Sequence, residues 1–241
     1  NKLTWEWNDS EGDTIRQLME LVAATQSKRP KFYYLLSQVY YDNSKIGEPS
    51  KPFINWTDQA GMYDVITDFA KHVMEYVPFD GIIATGTMLQ NLRQTPMVNS
   101  LCLTRDGYHM DYGLARYGAA CTIFETLLTP IYQVDLYKNT FRDETSNTTY
   151  KEYRTPITDY TAPFAIQAAI DAAHNPYELT FHSHYGNNNT PGTNIETSQV
   201  FEFLYEYIKF YRFERVCNAC LCRRCRHISL LLLHKGRWLH E

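Results

Sequence analysis

The sequence lacks a long apolar run, an N-terminal leader and a positive net charge. Ile228 to Leu233 is far shorter than the roughly 18 apolar residues of a membrane-spanning helix, so we expect no membrane span. No charged and then apolar leader follows Asn1, so we expect neither a signal peptide nor a transit peptide, and a chain that begins inside a longer protein. The formal net charge of −4 gives no footprint of a nucleic-acid-binding protein.

The composition is that of a globular protein with an unusual C-terminal end. With 241 residues, 44% of them hydrophobic and 15% aromatic, the chain is long enough for one large domain with an appendage. Residues 209–241 hold 8 Lys and Arg against 2 Asp and Glu, whereas residues 1–208 hold 15 against 25. The basic end therefore differs in composition from the rest.

Hydrophobic periodicity predicts alternating strands and helices. Short apolar runs indicate strands, and apolar residues at spacings of three and four indicate helices. The predicted strands are Leu3–Trp7, Lys31–Tyr41 and Ile82–Thr85. The predicted helices are Ile15–Thr25, Met62–Tyr76, Leu114–Leu128 and residues 159–173, and residues 134–153 are expected to form an extended loop or hairpin. This order is typical of an α/β doubly wound layer.

In such sheets, binding and catalytic residues lie in loops beyond the carboxyl ends of the strands. Three segments qualify as such loops: Asn8–Asp13, Asn43–Asp58 and Gly86–His109. The strand end at Thr85 and the third segment carry most of the polar candidates, namely Thr85, Thr87, Gln90, Asn91, Arg93, Asp106 and His109.

Asp106 and His109 stand three residues apart in a turn that contains Gly107. An imidazole in such a turn can reach a substrate while a neighbouring carboxylate or carbonyl fixes its tautomer, which is the layout of a catalytic base. The alternative is a surface Asp-Gly turn with a histidine that has no chemical role.

Three ordered blocks resemble a bacterial subfamily of SGNH (GDSL-type) hydrolases that is catalogued mainly as a domain of unknown function. The resemblance spans residues 3–135, and more weakly residues 157–180. The blocks that carry it are Asn55–Tyr63, Asp80–Arg93, and Asp106–His109 followed by Arg116–Cys121.

The resemblance implies a flavodoxin-like three-layer sandwich with a parallel sheet and an esterase mechanism of the Ser-His-Asp type. His109 would be the general base and acid, and Asp106 would orient it. Gln90, Asn91 and Arg93 would line the substrate pocket, although a salt bridge of Arg93 is an alternative. The substrate class implied by analogy is acylated carbohydrate, with no cofactor and an extracytoplasmic location.

The sequence departs from this family at the nucleophile. The family's serine lies in a Gly-x-Ser block on the first strand, and residues 1–241 contain no such block. Ser10 lacks the glycine turn that exposes a nucleophile. Asn8 is a candidate oxyanion donor, with a helix cap as the alternative. We therefore expect an inactive fragment that lacks the first strands of its sheet.

The segments after the core leave two other functions open. We divide the chain into residues 1–135 as the hydrolase-like part, 136–180 as an extension with one helix, and 181–241 as linker, helix and basic tail. The tail cysteines are alternative zinc ligands, although a non-native extension explains the same residues: Cys217, Cys220, Cys222 and Cys225. A carbohydrate-binding or interaction module using the 19 tyrosines and 4 tryptophans is the other alternative.

Overall fold

The computed structural model describes residues 8–40, 59–95, 103–107, 109–147, 149 and 152–181, together with the backbone of residues 229–233. The described chain is a mixed α/β structure. Its helices are α1 (Asp9–Ala24), α2 (Gln59–Tyr76), α3 (Thr85–Arg93), α4 (Leu114–Leu127), α5 (Thr129–Tyr132) and α6 (Ala162–His174), with one 3-10 turn at Leu136–Lys138. Its strands are β1 (Lys31–Leu35), β2 (Gly81–Ile83) and β3 (Ser229–Leu233).

The three described strands form one small sheet in the order β2-β1-β3. β1 and β2 are parallel, with Tyr34 opposite Ile82. β3 runs antiparallel along the other side of β1 and pairs Leu35 with Ser229. The parallel pair agrees with the sequence prediction, whereas the strand in the basic tail was not predicted. The predicted strand Leu3–Trp7 lies outside the described residues.

β1 is shorter than the predicted strand Lys31–Tyr41 because its parallel partner β2 ends at Ile83, after which the chain enters α3 at Thr85. The carbonyl of Leu36 accepts hydrogen bonds from the N–H of Gly86 at 2.9 Å and the hydroxyl of Thr85 at 3.0 Å. A Cβ atom at Gly86 would stand 2.1 Å from the Ser37 carbonyl oxygen. The first turn of α3 therefore lies directly against the backbone that follows β1.

α3 corrects the prediction of a continuous loop from Gly86 to His109. Its nine residues, Thr85–Arg93, are all buried. Five of these nine residues are polar, a composition typical of an exposed loop, but they find hydrogen-bond partners inside the fold.

The hydrophobic core lies where α4 packs against α3 and α6. Gly118 of α4 makes this approach close, since a Cβ atom there would stand 2.5 Å from the sulfur of Met88. Leu136, Ile157 and Ile166, which follow position 135, share this core with residues that precede it. The core therefore holds α4 and the segment that precedes it in a fixed position.

Candidate functional site

Residues 103–107 and 109–111 form the two sides of a tight hairpin that we call the Asp106–His109 loop. An antiparallel bridge joins Thr104 to Met110. One step closer to the tip, the N–H of Arg105 donates to the carbonyl of His109 at 2.9 Å. Gly107 turns the chain with a φ of 94°, a conformation that glycine adopts without strain.

The Asp106–His109 loop brings its two named side chains into direct contact. Oδ2 of Asp106 lies 2.5 Å from Nδ1 of the His109 ring. Oδ1 of the same carboxylate accepts the backbone N–H of His109 at 2.7 Å. The side chains are 10% and 19% exposed, respectively. One carboxylate thus holds both the ring and the backbone of the histidine.

A cationic and aromatic group that sequence reasoning missed lies beside this pair. Nε of Arg105 is 3.8 Å from Oδ2 of Asp106, and its guanidinium also donates to the hydroxyl of Tyr112. The guanidiniums of Arg105 and Arg116 lie 5.0 Å and 4.3 Å from the centre of the Tyr112 ring. Such cation–π contacts fix the flat faces of the arginines against the ring. The aromatic residue before Gly113 gives no sequence signal for this arrangement.

Asp111 is a second carboxylate that the sequence did not single out. It is fully buried and accepts three backbone N–H groups, from Gly113 at 2.9 Å and from Ala115 and Thr155 at 3.1 Å. Burial raises the pKa of Asp111 above its ordinary value, although the hydrogen bonds it accepts oppose the shift. Thr155 lies 44 positions away along the chain, so no spacing rule indicates this contact.

Gln90 and Arg93 face the interior of the described structure. Nη1 of Arg93 donates to Oε1 of Gln90 at 2.8 Å, to Oε1 of Gln59 at 2.9 Å and to the Val39 carbonyl at 3.2 Å. Arg93 is 8% exposed. It therefore joins the C-terminal end of α3 to the start of α2 and to the segment after β1. That these side chains also line a substrate pocket stays a prediction.

Asn91 and Asn8 also have structural partners. Oδ1 of Asn91 accepts the N–H of Thr180 at 2.9 Å, which ties the segment after α6 to α3. Oδ1 of Asn8 accepts the backbone N–H of Ser10 at 3.0 Å and the Ser10 hydroxyl at 2.7 Å. Asn8 is thus the N-cap of α1, the alternative that the sequence offered to an oxyanion role.

Two further predictions from the sequence concern metal binding and membrane-spanning helices. Among the described residues, no group of three or more His, Cys, Asp or Glu side chains is placed to hold a metal ion. The four tail cysteines lie outside the described residues. Cys121 of α4 is a buried free thiol, as its apolar surroundings in the sequence predict. No helix in the described part of the chain has both the length and the apolar character that a membrane span requires.

Comparison with known proteins finds a family that matches the segment containing this loop. Residues 7–159 match the family described as a domain of unknown function, DUF4886. No curated protein matches the chain. The structure is similar to the crystal structure of a DUF4886 family protein from Bacteroides uniformis ATCC 8492, with 24% sequence identity and a TM-score of 0.54.

That likeness covers 71% of this chain and 59% of the other chain, and at this identity it shows the fold alone. The matched segment contains α1 to α5, β1, β2 and the Asp106–His109 loop. Because the family match covers more than half of the 241 residues, the chain belongs to the DUF4886 family.

Proposed function

We propose that this chain is part of an SGNH-type serine ester hydrolase in which His109 is the general base and acid. The observation that carries the proposal is the double contact of Asp106 with the ring and the backbone of His109, at 2.5 and 2.7 Å. An orienting carboxylate on Nδ1 is the arrangement that Ser-His-Asp hydrolases use. A simple surface turn has no need for a carboxylate that holds the imidazole in one orientation.

The contact defines which proton transfers His109 would perform. When Nδ1–H donates to the Asp106 carboxylate, the neutral ring presents the lone pair of Nε2 as its base. Nε2 would accept the serine hydroxyl proton as the serine oxygen attacks the ester carbonyl. It would then return that proton to the leaving alcohol, and a water molecule activated in the same way would release the acid. Asp106 would stabilise the imidazolium formed between the two transfers.

The proposal includes the finer fold and the missing reactant. The parallel β1–β2 pair with helices packed beside it supports a flavodoxin-like three-layer sandwich. The nucleophilic serine would come from a Gly-x-Ser segment, for which residues 1–241 hold no match. Acylated carbohydrate as the substrate and an extracytoplasmic location rest on the family resemblance and on no residue of this chain.

Two proteins test the proposal: this chain, and the same chain continued upstream in its natural gene as far as a Gly-x-Ser segment. Each is assayed for hydrolysis of a short-chain nitrophenyl ester and of acetylated sugars. Each is also treated with a fluorophosphonate, which labels activated serines. We expect activity and labelling only in the extended protein, and a loss of roughly 10²- to 10⁴-fold in kcat/KM in its His109→Ala variant.

His174→Ala is the matched control. His174 lies 3.7 Å from Glu125 at the end of α6 and is 66% exposed, so it is a histidine–carboxylate pair without the orienting double contact. Its loss should leave the activity unchanged. A folded extended protein that hydrolyses none of these esters and takes up no label contradicts the hydrolase proposal and favours a carbohydrate-binding or interaction module.

A further inference from the structure

The buried carboxylate of Asp111 lies at the base of the Asp106–His109 loop, where this loop meets α4 and the segment that contains Thr155. Its Oδ1 accepts the N–H groups of Gly113 and Ala115, at the start of α4, and its Oδ2 accepts the N–H of Thr155. Thr155 belongs to the segment that pairs back on residues 143–147 through the bridges at Ile157 and Arg154. One side chain thus joins the loop, a helix and a hairpin.

The donors around Asp111 leave no place for a neutral side chain. All three are backbone N–H groups, and both carboxylate oxygens are in use. An asparagine would turn its own N–H₂ group toward at least one of these donors and leave it without an acceptor. A buried donor without an acceptor is destabilising, so the site requires a carboxylate.

Backbone contacts reinforce this junction. The N–H of Tyr112 donates to the Tyr153 carbonyl at 3.0 Å, and the N–H of Leu114 donates to the Thr155 carbonyl at 2.9 Å. A Cβ atom at Gly113 would stand 2.0 Å from the carbonyl oxygen of Thr155. The two segments therefore touch backbone to backbone, and glycine makes this approach possible.

From this junction, a ladder of backbone hydrogen bonds continues into the Asp106–His109 loop. The N–H of Asp111 donates to the Leu103 carbonyl at 3.0 Å. The Thr104–Met110 bridge follows, and then the hydrogen bond between the Arg105 N–H and the His109 carbonyl. Asp111 is the base of this ladder and His109 stands near its tip. A change in the position of the base is therefore transmitted to the histidine through backbone hydrogen bonds.

We propose that Asp111 is a positioning residue for His109. Asp111 keeps the Asp106–His109 pair aligned by fixing the base of the Asp106–His109 loop to α4 and Thr155. Its effect on catalysis rests on the proposed hydrolase function, whereas its effect on the geometry of the histidine does not. Asp111 touches neither the ring nor a reacting atom in this scheme. It acts through the ladder alone.

Hydrogen exchange of the unaltered chain tests the coupling without any substitution. The amides of Ala115 and Thr155 donate to Asp111, and the amide of His109 donates to Asp106. If the ladder opens as one unit, the three amides share one opening equilibrium and their protection factors agree within about threefold. If the His109 amide is more than about tenfold less protected than the other two, the loop opens without the junction and the proposal is wrong.

The Asp111→Asn variant tests the direction of the effect in histidine-labelled protein. The Nδ1 proton of His109 is identified by its loss in the His109→Gln variant. We expect Asp111→Asn to remove this proton signal and to speed exchange of the His109 amide at least about tenfold. A folded Asp111→Asn protein that keeps both would overturn the proposal.

Asp135→Asn is the matched control. Oδ1 of Asp135 accepts the Tyr137 N–H at 2.9 Å, two residues on, like the Asp111–Gly113 contact, but at an exposed position away from the loop. This variant should leave the His109 signals unchanged. In the extended protein, Asp111→Asn should lower kcat at least about tenfold with KM within about twofold. If the extended protein is inert while the His109 signals respond as described, the hydrolase proposal fails and the positioning role stands.

Discussion

The Asp106–His109 loop and α3 both carry polar side chains that the sequence singled out, but the two regions use them differently. In the loop, Asp106 bonds a residue three positions away, and both side chains remain partly exposed. In α3, Arg93 and Asn91 are buried and reach Val39 and Thr180, 54 and 89 positions away. The loop directs its polar groups at one another near the surface, whereas α3 uses its polar groups to hold distant segments together.

Under the proposed function, this difference separates residues that act on a substrate from residues that stabilise the fold. Buried hydrogen bonds that join distant segments contribute to the free energy of unfolding, because their loss leaves buried groups without partners. A short local contact near the surface contributes less to stability and is free to act on a ligand. Substitutions in the two regions should therefore change different quantities.

The largest expected effect is that of Asp106→Asn on the activity of the extended protein. The amide would offer N–H₂ or a single oxygen to the ring and would no longer hold Nδ1–H in one tautomer. We expect kcat/KM to fall roughly 10²- to 10⁴-fold, while the free energy of unfolding changes by less than about 1 kcal/mol. Ester hydrolysis and urea denaturation measure the two quantities. A loss of stability that accounts for the loss of activity would place Asp106 with α3.

Arg93→Met should have the opposite signature. The apolar side chain would leave the Val39 carbonyl, Gln59 and Gln90 each without the donor that Nη1 supplies. We expect the free energy of unfolding to fall by about 2 to 4 kcal/mol in urea denaturation. Arg16→Met, at an exposed position of α1, is the control and should change it by less than about 0.5 kcal/mol. Equal effects of the two substitutions would contradict a structural role for Arg93.

A smaller effect is expected for Asn91→Ala. The substitution removes the acceptor of the Thr180 N–H and should lower the free energy of unfolding by about 1 to 2 kcal/mol. Hydrogen exchange localises the change, because the Thr180 amide should lose protection while the Leu114 amide changes only with global stability. An unchanged Thr180 amide would show that Asn91 does not hold the segment after α6.

Asp80 is a carboxylate at the surface with which the carboxylates of the loop can be compared. It accepts hydrogen bonds from Arg29 and from the Phe32 N–H at 2.9 and 2.8 Å. Partial burial acts to raise the pKa of Asp80, but these hydrogen bonds and the charges of Arg29 and Lys31 outweigh it and hold that pKa below its ordinary value.

A carboxyl group whose pKa is lower in the folded protein stabilises the fold above its unfolded pKa of about 3.9, and this contribution is lost as the pH falls through the folded pKa. Asp80→Asn should therefore lower the free energy of unfolding by roughly 0.5 to 1 kcal/mol at pH 7, because Arg29 is solvent-exposed, and the difference should shrink as the pH falls below about 4. Urea denaturation at several pH values measures it. Asp68→Asn, on the exposed face of α2, is the control with an expected change below about 0.5 kcal/mol.

Sequence reasoning predicted what depends on neighbours along the chain. Apolar residues at helical spacing located α2, α4 and α6 to within a few residues, and the apolar runs at Phe32 and Ile82 located the parallel pair. The prediction for α1 missed its first six residues, because the polar segment Asn8–Asp13, predicted as a loop, forms the N-cap and first turns of that helix. The family resemblance, and not the spacing alone, implied that Asp106 orients His109, and the two side chains are in contact. In each case the physical cause acts within one turn or one strand.

The parts that sequence reasoning missed depend on partners far along the chain. α3 was taken as a loop because its polar residues find those partners inside the fold and not in solvent. The role of Asp111 depends on Thr155, and the end of β1 depends on the close approach of Gly86 to Ser37. No local pattern records these contacts, since each requires the positions of two segments in the folded chain.

The reactivity of the buried Cys121 thiol can be used to measure opening of the core. Burial raises the pKa of this thiol well above its ordinary value, and the thiolate is the form that reacts with alkylating reagents. Labelling of Cys121 therefore requires that α4 separate from the helices around it. Its rate, followed on the peptide that contains it, counts how often the centre of the molecule opens to solvent.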